Sequence, residues 1–145
     1  MLNTVYLIVS RYDRDEFYDI FGKGIYTDLE EAKKDWKKEL KSFLSIGPDD
    51  VYILGLVQCQ LSNSELKELE DHIKKLNTID GYSYDKNFIN FITNHLNIYD
   101  DAVYGPDGYD GICEIQEAIE NDGEDPEDNK VFNKYFNRYY RKYYK

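Results

Sequence analysis

Apolar positions recur along this chain with two periods, and the switch between them lays out the elements. Thr4 to Ser10 (Thr-Val-Tyr-Leu-Ile-Val-Ser) is β-branched and aromatic, and apolar on both faces in its middle, which predicts a buried strand. Residues 11–16 read as a charged turn. Phe17 to Phe21 and Gly24-Ile25-Tyr26 predict a second strand, interrupted by Gly22-Lys23-Gly24, which suits a bulge or tight turn. From Val51 to Leu61 the period is two again: Val51, Ile53, Val57 and Cys59 share one face, and Tyr52, Leu54 and Leu56 the other.

Between these strands the period becomes helical. Thr27-x-x-Glu30 has the form of a capping box, in which hydroxyl and carboxylate each take an orphan amide. Leu29, Ala32, Trp36, Leu40 and Phe43 then form one apolar stripe among charged neighbours, and Gly47-Pro48 is the expected stop. Ser62-x-x-Glu65 is a second capping box, followed by the stripe Leu66, Leu69, Ile73 and Leu76. A third helix is expected over residues 85–97 on Phe88, Phe91, Ile92 and Leu96. Residues 100–111 carry three glycines and a proline among polar residues and read as a turn-rich loop. Ile112, Ile115 and Ile119 mark a short helix, residues 121–128 an exposed acidic loop, and Phe132, Phe136, Tyr139 or Tyr140, and Tyr143 a last helix.

The expected fold class is therefore α+β: a small sheet of about three strands in the order β-β-α-β, with helices on one side, then a helical C-terminal half. Its 145 residues fit a single domain, with residues 1–61 as the sheet part and 62–145 as the helical part. No run reaches the roughly 20 apolar residues of a membrane span. Residues 1–4 lack the basic stretch of a secretory signal, so a cytoplasmic location is expected. Cys59 and Cys113 fall in different elements outside any C-x-x-C and read as small buried residues rather than a disulfide or zinc site.

Charge changes the picture most. The net charge is −11, but it comes in blocks. Residues 1–86 carry 17 acids and 12 bases; residues 87–129 carry 12 acids and no Lys or Arg; residues 130–145 carry six bases and no acid. Those bases are Lys130, Lys134, Arg138, Arg141, Lys142 and Lys145. Blocks of this kind mark interaction surfaces.

Catalytic signals are poor. There is no G-x-S-x-G, H-E-x-x-H, Walker A or G-x-G-x-x-G. His72 and His95 lie on different helices without metal-ligand spacing, and His72, beside the stripe Leu69, Ile73 and Leu76, reads as a helix-flank histidine. Neither acidic loop has the EF-hand spacing. No enzyme activity, cofactor or metal site is expected. The alternation of bases and aromatics after residue 129 suits single-stranded nucleic acid, but it equally suits aromatics in the core with bases answering the acidic block, and the overall negative field repels phosphate.

The composition favours Lys (14), Asn (11), Ile (13) and Tyr (15) over Ala (3) and Arg (4), the bias of AT-rich codons and a low-GC genome. The opening half, a strand, then Gly24-Ile25-Tyr26-Thr27-Asp28-Leu29-Glu30-Glu31-Ala32-Lys33-Lys34, then a strand, resembles a pattern common among short phage proteins of low-GC bacteria. The resemblance covers roughly 60 residues. It implies a source, with the cytoplasm of a host bacterium as the location, and no activity.

The expected function is an acidic protein–protein interaction module that inhibits a basic, nucleic-acid-binding partner, as a DNA mimic or an anti-defence or anti-CRISPR-like protein does. Its partner-binding residues are expected to be Asp100, Asp101, Tyr104, Asp107, Tyr109, Asp110, Glu114, Glu117, Glu120, Asp122, Glu124 and Asp125. The two tyrosines would serve as aromatic anchors. Direct nucleic-acid binding and membrane contact are not expected, and a homo-oligomer is left open. The alternatives are a nucleic-acid-binding module using the basic-aromatic C-terminal helix, and a small enzyme without a recognisable motif.

Overall fold

The computed structural model describes residues 1–12, 18–45, 52–77 and 86–144. Most of the charged turn, Phe17, the Gly47-Pro48 stop, Val51, the Leu76 side chain and Lys145 lie outside the described residues. Four strands, β1 (Asn3–Tyr12), β2 (Tyr18–Tyr26), β3 (Tyr52–Leu61) and β4 (Ala102–Gly108), form one antiparallel sheet in the order β2-β1-β3-β4. Five helices accompany it: α1 (Leu29–Ser45), α2 (Asn63–Asn77), α3 (Lys86–His95), α4 (Tyr109–Asn121) and α5 (Asn129–Tyr143).

Strand β1 is central and pairs residue for residue with β3, from Asn3 opposite Leu61 to Tyr12 opposite Tyr52. Its middle is apolar on both faces, so both faces need cover. Val5, Leu7 and Val9 pack with Val57, Cys59 and Leu61 beneath Leu69 of α2 and Phe88, Phe91 and Ile92 of α3. On the opposite face Ile8, Leu54 and Leu56 meet Trp36 and Leu40 of α1, Ile112, Ile115 and Ile119 of α4, and Phe132 and Phe136 of α5. Helices thus lie on both faces of the sheet, which corrects the expectation of helices on one side.

Strand β4 corrects the turn-rich loop expected at residues 100–111. The segment pairs with β3 through Ala102, Tyr104, Asp107 and Gly108, with two register shifts. Gly105, at φ 81°, makes the irregularity; a Cβ there would sit 2.8 Å from the Leu54 carbonyl. An edge strand accommodates glycine, proline and bulges that an inner strand excludes, so local turn chemistry and strand pairing coexist here. In β2 the expected bulge is present: the register breaks between Tyr6 opposite Tyr26 and Ile8 opposite Phe21. The Tyr26 hydroxyl organises it, accepting from the Lys23 amide at 2.9 Å and donating to Asp35 at 2.6 Å.

The helix starts divide. At α2 the capping box forms as read: the Glu65 amide donates to Ser62 Oγ at 3.2 Å and the Ser62 amide to Glu65 Oε1 at 2.8 Å. At α1 the cap is Asp28, which accepts from the Glu30 amide at 3.1 Å, in place of Thr27. Trp36 is fully buried against Tyr104, Tyr140 and Tyr144, with ring centroids 5.7, 6.3 and 4.8 Å away.

Candidate interaction surface

Helices α4 and α5 pack side by side over the sheet face that holds Trp36. The three isoleucines of α4 point inward at steps of three and four, so the polar residues between them turn outward. Asp110, Glu117 and Glu120 are exposed on the outer side of α4, and residues 121–125, 127 and 128 continue the exposure to the start of α5. Within this loop Asp125 Oδ1 accepts from the Glu127 amide and Asp128 caps α5 by accepting from the Lys130 amide, both at 2.9 Å. The loop is thus shaped by its own carboxylates.

Eleven of the twelve expected site residues separate into three groups. Asp100, Tyr109, Asp110, Glu117, Glu120, Glu124 and Asp125 face solvent. Asp101 is half-buried and holds the α3–β4 turn, accepting from the Asn97 amide at 2.7 Å. The third group is taken up by tyrosines and lysines of the fold. Asp122 accepts from Tyr135 Oη at 2.5 Å. Glu114 accepts from Tyr143 Oη at 2.7 Å and pairs with Lys142 at 3.3 Å. Asp107 accepts from Tyr139 Oη at 2.5 Å and Tyr144 Oη at 2.8 Å.

Asp107 and Tyr104 are both engaged within the fold. Asp107 is only 6% exposed, so it is not a docking carboxylate. It leaves the sheet at the end of β4, beneath α4, where Gly111 gives it room: a Cβ on Gly111 would lie 2.3 Å from Asp107 Oδ1. Burial raises the Asp107 carboxyl above its usual range, and the bonds from Tyr139, Tyr144 and the Gly108 amide offset only part of that. Tyr104 is half-buried beside Trp36, with the Lys33 ammonium 4.8 Å over its ring, and is not a free anchor.

Tyrosines, more than the basic residues, therefore link α5 to the acidic block. Tyr135, Tyr139 and Tyr143 fall at four-residue steps on one face of α5, and each donates to a carboxylate of the block. Lys130, Lys134, Arg138, Arg141 and Lys142 are exposed. Arg138 lies over the Tyr135 ring at 5.0 Å and Arg141 Nε donates to the Asn137 carbonyl at 3.2 Å. The aromatic stripe faces inward as core: Phe132, Tyr135 and Phe136 are buried, and only Tyr143 offers half of its surface to solvent.

A second concavity lies between α2 and α3 on the opposite face of the sheet. It encloses about 760 Å³ and is lined by both histidines together with Lys67, Asp71, Asn90 and Phe91. His95 stacks on Phe91 with centroids 4.2 Å apart, and its Nε2 lies 2.6 Å from Glu65 Oε2. His72 is tilted against the same ring at 5.7 Å. Sequence spacing does not point to this partnership, because Glu65 is 30 residues away and no local pattern couples the two.

Among the described residues no group of three or more His, Cys, Asp or Glu is placed to hold a metal ion. Cys59 and Cys113 are free thiols, the first buried and the second half-buried. No helix among the described residues is long and apolar enough to cross a membrane. Comparison with protein-family models, curated proteins and solved structures finds no match.

Proposed function

We propose that this protein is an acidic interaction module that inhibits a basic, nucleic-acid-binding partner by occupying the groove that otherwise holds phosphates. The observation that carries the reading is the exposed arc of Asp110, Glu117 and Glu120 on α4 with Glu124 and Asp125 beyond it. No Lys or Arg interrupts the chain from residue 87 to residue 129. Like charges gathered along one segment repel one another, and solubility is met as well by mixed signs within it. An exposed acidic arc steers association with a surface of opposite sign.

Glu117 and Glu120, three residues apart, are separated by about 4.5 Å along the helix axis, somewhat sparser than the roughly 3.4 Å per charge of one DNA strand, and Asp110 lies about two turns before them. The acidic loop after α4 adds charge at the end of that row. An anti-defence or anti-CRISPR-like role is the specific form of this reading that the resemblance in the N-terminal half suits.

The rival nucleic-acid module is disfavoured by the direction of the α5 rings. Base stacking needs exposed aromatic faces, and Phe132, Tyr135 and Phe136 are buried. The test is reversal of Asp110, Glu117 and Glu120 to Lys, leaving Asp107, Glu114 and Asp122 in place because they hold α5. The reversed protein is expected to fold and to lose a partner captured by the wild type. Retention of that partner by the folded variant sinks the proposal.

A further inference from the structure

One imidazole ties the last turn of α3 to the first turn of α2. His95 Nδ1 lies 2.7 Å from the Phe91 carbonyl oxygen, and Nε2 lies 2.6 Å from Glu65 Oε2. A carbonyl and a carboxylate only accept hydrogen bonds. A neutral imidazole has a single N–H and leaves a lone pair on its other nitrogen. In that state one of these short contacts would set a lone pair against an oxygen. From this geometry we infer that His95 is a doubly protonated imidazolium at neutral pH and forms a pH-sensitive latch that closes one end of the α2–α3 groove and loosens on losing its proton.

The partner is held as firmly as the imidazole. Glu65 Oε1 accepts from the Ser62 amide at 2.8 Å in the capping box, so its carboxylate cannot swing from His95 without disturbing the start of α2. His95 occupies the C-terminal turn of α3, where the helix dipole favours a cation. From α2, Glu65 faces it directly and Glu68 adds a second negative charge; Lys67, Asp71, His72 and Lys75 line the groove further along. Glu68 lies 3.7 Å from His72 Nε2, which places it between the two rings.

The titration agrees in direction. Burial, the largest single influence, pulls His95 down, but the Phe91 carbonyl, Glu65 and Glu68 together leave it above its ordinary 6.5. A raised basic group contributes stability that is fully present below about pH 6.5 and is lost as pH rises through the folded value. Glu65 is driven the other way, to about 2, by the Ser62 amide first, then the Ser62 hydroxyl and His95.

The experiment is an imidazole nitrogen NMR titration of the intact wild-type protein, with Glu65→Gln as the comparison. The expected result is protonation of both His95 nitrogens at pH 7, and so a midpoint above that pH. Amide exchange in the last turn of α3, corrected for its intrinsic pH dependence, should accelerate as pH passes that midpoint. Glu65→Gln should move the midpoint down by about one unit, tenfold in proton affinity. A wild-type midpoint at or below pH 7, seen as a single protonated nitrogen at that pH, overturns the inference without any variant. So does a folded Glu65→Gln protein with an unmoved midpoint.

Discussion

Replacing Asp107 separates the carboxylates that hold the fold from those available to a partner. Its carboxylate is 6% exposed and takes hydroxyl donors at 2.5 and 2.8 Å from Tyr139 and Tyr144. Three substitutions grade the effect. Asp107→Asn keeps the shape and one acceptor while removing a charge whose burial is unfavourable; lost bonds and relieved desolvation oppose each other, and the net cost should be about 1 kcal/mol or less. Asp107→Ala leaves both hydroxyls without their acceptor, and because Tyr139 and Tyr144 are half-buried and regain some water, about 2–4 kcal/mol is expected. Asp107→Lys puts an unmatched cation in the same space and should cost about 4 kcal/mol or more.

Urea denaturation at neutral pH reads all three. The pH dependence follows from the raised acid: its contribution is fully present below its ordinary 3.8 and is lost as pH rises through the higher folded value. Wild type should therefore gain on Asp107→Asn as pH falls. Refutation would be an Asp107→Lys protein within about 1 kcal/mol of wild type, or an Asp107→Asn deficit that grows with pH.

Trp36→Ala should cost about 3–5 kcal/mol in the same assay, as deletion of a fully buried aromatic does; a loss under 1 kcal/mol would contradict the packing of α1 on the sheet. Gly111→Ala should cost about 1–3 kcal/mol, because its Cβ would lie 2.3 Å from Asp107 Oδ1 and 2.7 Å from Tyr139 Oη; an unchanged urea midpoint would mean that α4 does not close over Asp107. At moderate salt the protein should give no mobility shift with single- or double-stranded DNA, and a sub-micromolar, salt-sensitive complex would transfer the function to α5.

Much of this architecture was legible in local patterns. The apolar run of β1 and the alternation of β3, the stripe of α1 with buried Trp36 and Leu40, the capping box at Ser62 and the three isoleucines of α4 all rest on residues within a few positions of one another. What escaped depends on contacts distant in sequence. Strand β4 carries glycine and proline chemistry that spells a turn, and only pairing with β3 makes it a strand. Asp107 looks like any of the 12 acids in its block, because the tyrosines that bury it lie 32 and 37 residues on. The apolar middle of β1 already implied cover on both faces, whereas the layer rule for a small sheet suggested helices on one. In the acidic surface the blockwise charge was visible, while its division into fold-holding and solvent-facing carboxylates required the positions of Tyr135, Tyr139 and Tyr143.

The central claim is that the exposed arc of α4 and the following loop docks on a basic partner. The most direct measurement is the association rate of a partner captured by the wild-type protein, followed across ionic strength for wild type and for the Asp110→Lys, Glu117→Lys, Glu120→Lys variant. A steered encounter is expected for wild type, fast at low salt and falling steeply as salt rises, with a slower and flatter profile for the variant. Superimposable profiles for two equally folded proteins would contradict the claim.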